Sequence, residues 1–71
     1  MTYFDLIEDS SGNFEVHEND EYNDCYSNLE EAGDYVSRVA DEGDYVNIIY
    51  HCINTQNESA TIDDLGTWCY N

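Results

Sequence analysis

The side chains able to do chemistry in this 71-residue chain are its seventeen carboxylates, three cysteines and two histidines. Asp20, Asp24 and Glu31 fall at positions 1, 5 and 12 of an EF-hand-like calcium loop. Such a loop needs an oxygen ligand at position 3 and glycine at position 6, where this chain has Tyr22 and Cys25. The match fails where the geometry is strictest, which leaves only weak, nonspecific divalent-ion binding. A zinc site would have to gather Cys25, His51, Cys52, Cys69 and His17, none of which has the close ligand pairing of a zinc motif. In an extended strand His51 and Cys52 would also point to opposite faces. A Cys–His nucleophile pair is poorly served, because electropositive surroundings activate a thiolate and an acidic field does the reverse. These residues therefore predict no metal, no cofactor and no catalytic centre, with buried thiols and an exposed histidine.

The carboxylates themselves are the informative feature. Against them stands one basic side chain, Arg38, so the net charge is −16. An ordinary soluble domain needs only a few units of net charge. A compact chain of this length spans about 28 Å, which gives roughly one charge per 1.7–1.8 Å, close to duplex DNA at about one per 1.7 Å. Neutralising phosphates requires Lys and Arg, so this composition excludes direct nucleic-acid binding. It also disfavours anionic lipid surfaces, and no apolar run reaches membrane-spanning length. The start MTYFDLIED lacks the basic region of a secretion signal, and the odd cysteine count suits reduced thiols. A cytoplasmic, monomeric single domain over residues 1–71 is expected.

Charge and hydropathy alone lean towards disorder. Aromatic residues at 14%, and apolar residues at regular spacing, argue instead for a fold. Residues 2–8 read as a strand, and residues 14–18 alternate with Phe14 and Val16 inward, giving a β-hairpin across the turn-rich segment 10–13. Residues 19–26 have no period and read as a loop. Ser27 with Glu30 suits a helix capping box, and Leu29, Ala32, Gly33, Val36, Val39 and Ala40 then recur on one stripe, with Gly43 ending the helix. Residues 44–53 are apolar on both faces, as in a central strand, and 59–63 suit a fourth strand. Residues 61–71 fit either a short helix or an extended segment. The expected class is α+β: a small ββαββ domain, with an antiparallel sheet and one amphipathic helix on one face. Its other face would show Tyr3, Ile7, Tyr45, Ile49 and His51. Either Trp68 and Tyr70 fold back over it, which is favoured, or it is a contact surface.

Within this layout Glu30 and Asp34 sit one helical turn apart, about 6 Å along the axis, near the spacing of successive phosphates. Arg38, four residues after Asp34, can pair with it. Asp41, Glu42 and Asp44 oppose the helix dipole at the far end, and Glu18, Asp20, Glu21 and Asp24 crowd the preceding loop. With Glu31, these ten carboxylates form the expected partner-binding set, supported by the aromatic rings of Tyr22 and Tyr26.

The dense acidic runs ENDEYND, LEEAGDY and ADEGDY, in a short chain with a ββαβ-like body, resemble phage-encoded anti-CRISPR and anti-restriction proteins of the DNA-mimic kind. The resemblance covers the whole chain and is one of size, charge and architecture, without a diagnostic motif. It implies a basic DNA-binding partner, with a type I CRISPR-Cas surveillance complex favoured and type I-C foremost. It also implies inhibition by occupancy in the cytoplasm of an infected bacterial host. Two other readings fit the charge: an acidic adaptor or antitoxin-like chaperone of a basic protein, and a divalent-cation buffer. Adaptation to high salt would also enrich acids, though not this many large aromatics. With so much like charge, folding stability should rise with ionic strength. A melting temperature that climbs steadily between 20 mM and 1 M NaCl is the expected result of a thermal denaturation series.

Overall fold

A computed structural model describes residues 1–52 and 56–71. The chain runs β1 (Tyr3–Glu8), β2 (Phe14–Glu18), β3 (Glu21–Tyr26), α1 (Leu29–Val39), β4 (Tyr45–Ile49), β5 (Glu58–Ile62) and β6 (Trp68–Tyr70). The six strands form one mixed sheet in the order β3-β2-β1-β4-β5-β6, with α1 on one face. The α+β class holds, with more strands than ββαββ. Residue 53, the end of the expected central strand, and residues 54–55 after it lie outside the described residues.

The β1–β2 hairpin forms as its alternation requires. Leu6 pairs with Val16 across the ladder, and Phe4, Leu6, Phe14 and Val16 are all buried beneath the helix. Asp9 closes the turn by accepting from the backbone N–H of Ser11 at 2.8 Å and of Asn13 at 3.0 Å. From the helix, Ala32 and Val36 meet this layer, and β4 and β5 extend it through Val46, Ile48 and Ile62.

Segment 19–26 departs from its expected loop. Residues Glu21–Tyr26 are an edge strand paired with β2, and the register shifts at Val16/His17. Asp24 pairs with Val16, so a carboxylate stands where an inward-facing strand residue would be apolar. An edge strand tolerates this, and charge there blocks pairing with other chains. The extra strand also changes the topology. After β3 the helix must carry the chain back across the sheet, so β4 enters beside β1 and parallel to it. The sheet is therefore mixed rather than antiparallel.

The helix cap lies one residue later than expected. The Asn28 side chain accepts from the Glu31 N–H at 2.8 Å, and the Ser27 hydroxyl donates to the Glu31 carboxylate at 2.9 Å. Asn serves as well as Ser at this position, and it leaves Leu29 as the first helical residue, packed on the core. The helix ends at Val39 with Ala40 extended; Gly43, at φ +89°, belongs to the turn that follows. The ambiguous C-terminal segment is extended. Trp68 packs over Gly33 on the helix side of the sheet rather than folding over the opposite face. The opposite face stays open and is less apolar than expected, because Asn47 donates to Asp5 at 3.1 Å in its middle. His51 lies beyond β4, where its N–H donates to Glu8.

Asp44 corrects the expected acidic surface. It is only 4% exposed, so it is not available to a partner. Its two oxygens accept from the backbone N–H of Thr2 at 2.9 Å and of Asp41 at 2.8 Å. Its own carbonyl receives the Ile62 N–H at 2.9 Å, so one residue fastens the ends of β1, β4 and β5. Burial works against the charged carboxylate. The two amides, with the N-terminal amine, outweigh that and hold its pKa below the ordinary value. A depressed pKa adds stability above the unfolded-state value and loses it as pH falls through the folded-state value. Asp44→Asn should destabilise the fold by about 1–3 kcal/mol near neutrality, as a buried acceptor is lost. Urea denaturation at pH 7 and at pH 3 checks this, since the gap between variant and parent should narrow at the lower pH.

Candidate functional site

The remaining carboxylates sort by what they bond to. Asp5, Glu8, Asp9, Glu31, Glu58 and Asp63 accept hydrogen bonds from backbone or side-chain donors elsewhere in the fold, and Asp24 accepts from the adjacent Cys25 N–H. Glu18, Asp20, Glu21, Glu30, Asp34, Asp41 and Glu42 have side chains without a hydrogen bond or ion pair among the described residues. All of these but the half-buried Glu18 are exposed. The fold needs none of these charges, and they are most of the set expected to meet a partner.

The topology gathers several of them at one end of the sheet. There the β2–β3 turn is tied to β1 by the Asn19 N–H on the Tyr3 carbonyl at 2.8 Å. The α1–β4 loop is tied to β5 by the Gly43 N–H on the Ile62 carbonyl at 2.8 Å. Glu18, Asp20, Glu21, Asp41 and Glu42 thus share one rim. Asp64, in the β5–β6 turn, joins them. It was not in the expected partner-binding set, and residues 61–71 had fitted either a short helix or an extended segment. Glu18 and Glu21 stand directly opposite across the ladder, a like-charge pairing that costs stability. Asn19 and Asp20, at φ 51° and 70°, hold this tight turn in the left-handed region that few residues other than glycine tolerate.

The helix carries the second group. Glu30 and Asp34 border a groove between α1 and β6, while Glu31 and Asp34 border a smaller one with Tyr26 and Arg38. His17 Nε2 and Glu15 are hydrogen-bonded at 3.0 Å, and Arg38 does not bridge to Asp34. Tyr22 and Tyr26 do not form one aromatic surface. Tyr22, 59% exposed, sits edge-on to His17 on the open face. Tyr26 is half-buried and stacked on Tyr35 on the helix side, with ring centroids 5.7 Å apart.

The three thiols are exposed, not buried as expected. No cluster of three or more potential metal ligands occurs among the described residues. No helix among them is long and apolar enough to cross a membrane. Desolvation, and then the charges of Asp9, Glu15 and Asp24, push the Cys25 thiol up. In a background of Cys52→Ser and Cys69→Ser, Glu15→Gln should speed iodoacetamide labelling of Cys25 at pH 8 by roughly twofold.

Comparison with protein families, with curated proteins and with solved structures found no match.

Proposed function

We propose that this domain is an inhibitor that presents the charge of DNA to a basic DNA-binding surface and occupies it. A CRISPR-Cas surveillance complex is the favoured target. The observation that carries the reading is the set of exposed carboxylates that bond to nothing among the described residues. Solubility does not require them, and their mutual repulsion opposes folding. Rigid placement matters as much as number. The molecule measures 33 × 23 × 20 Å, so its sixteen net charges amount to about one per 2 Å of the long axis, slightly sparser than a duplex. Held on a helix and on hydrogen-bonded turns, these charges lose little entropy when they meet a partner. The field draws in a basic groove from a distance, which makes association fast and salt-sensitive. Shape and the flanking aromatic rings then distinguish one basic partner from another.

The test is competition. The domain should displace target DNA from a type I surveillance complex in a filter-binding or fluorescence-anisotropy assay. Changing Asp20, Glu21, Asp24, Glu30 and Asp34 together to lysine should abolish displacement while the circular dichroism spectrum stays native, since all five are exposed. A folded variant of this kind that still displaces DNA would overturn the proposal, as would a ternary complex with DNA still bound.

A further inference from the structure

The groove between α1 and β6 has a construction that the acidic rim lacks. It is an open groove of about 390 Å³, bordered by Glu30, Gly33, Asp34, Ser37, Trp68 and Tyr70 among others. Its floor is the Trp68 ring, which lies against Gly33 so closely that an added Cβ would meet it at 3.4 Å. The indole N–H donates to the Ser37 hydroxyl at 3.0 Å, which fixes the plane of the ring. Tyr70, 58% exposed, stands beside it with ring centroids 6.3 Å apart and planes at 51°, making an open aromatic corner. Over this corner the helix places Glu30 and Asp34, one turn apart, both exposed and neither bonded to anything among the described residues. No cationic side chain borders the groove.

We infer that this groove is a receptor for a single arginine side chain of the basic partner. A guanidinium can stack flat on an aromatic face while its edge donates to carboxylates, and two carboxylates one helical turn apart offer acceptors at both ends of that edge. An ammonium is compact, more strongly hydrated and has no flat face to stack, so it serves this geometry less well. The occupant follows from charge complementarity and ring geometry together. A neutral or acidic peptide would leave both carboxylates unpaired beside it. At Gly33 a Cβ would rest on the indole at ordinary contact distance, so the ring lies flush against the helix. The inference rests on the partner being basic and adds what the proposed inhibition leaves open, namely a short-range selection for arginine.

The probe is N-acetyl-arginine amide, titrated into the ¹⁵N-labelled full chain and followed by NMR. Saturable shifts confined to the Gly33 amide and the Trp68 indole N–H are expected, with a dissociation constant on the order of millimolar, as befits one side chain. N-acetyl-lysine amide should bind at least several-fold more weakly. Glu30→Gln with Asp34→Asn should weaken arginine binding roughly tenfold, whereas Glu18→Gln with Glu21→Gln, removing equal charge elsewhere, should leave it unchanged. Shifts spread over all acidic residues, reproduced by NaCl at equal ionic strength, or retained in the Glu30→Gln, Asp34→Asn variant would overturn the inference. Failure here and failure of DNA mimicry are separable. Saturable arginine binding without displacement of DNA keeps the groove and rejects mimicry, and displacement with a flat titration does the reverse.

Discussion

The structure is organised around the near absence of cations. A chain with net charge −16 and one arginine cannot neutralise its carboxylates by ion pairing, so those that must sit within the fold are held by N–H and O–H donors. Asp44 is the clearest case, buried with two backbone amides on its oxygens. Asp9 and Asp63 close turns in the same way, and the Tyr50 hydroxyl donates to Glu58 at 2.9 Å. Desolvation, and then that hydrogen bond and the charge of Glu58, push the Tyr50 pKa up to about 12, so its hydroxyl remains a donor throughout the physiological range. The backbone thus supplies the positive ends that lysine and arginine supply in ordinary domains.

This division separates two populations of one residue type. Carboxylates bonded internally are structural, and those left over are available to a partner. The leftover group lies along the rim made by the β2–β3, α1–β4 and β5–β6 connections and on the exposed side of the helix. The sheet order β3-β2-β1-β4-β5-β6 gathers this group, because its parallel β1–β4 pairing brings those three connections to the same end. The core remains small, from Phe4 and Leu6 to Val36 and Ile62, and works against continuous self-repulsion.

The parts of the fold that obey a strong period were legible in the sequence. The β1–β2 hairpin announced itself through Phe14 and Val16, and α1 through its stripe from Leu29 to Val36. β3 was not legible, because an edge strand facing solvent has no apolar alternation to show, and Asp24 breaks the pattern where it would count most. Missing that strand hid the parallel pairing as well. Asp44 was misplaced for a related reason: composition marks a carboxylate as exposed, and only the convergence of the Thr2 and Asp41 amides makes its burial tolerable. Trp68 and Tyr70 were expected to fold over the face opposite the helix, and Trp68 packs on the helix side instead. Which face they would take depended on β5 and β6 pairing antiparallel, so that Ile62 and Trp68 share the helix side.

The central claim is that the unbonded carboxylates act on a partner as phosphates do. The most direct measurement is the salt dependence of the association constant with the proposed target, a type I surveillance complex, taken beside that of DNA on the same complex. Binding that displaces anions from a basic groove predicts a steep linear fall of log K with log salt concentration, parallel to that of DNA. A shallow slope for the protein beside a steep one for DNA would contradict the account.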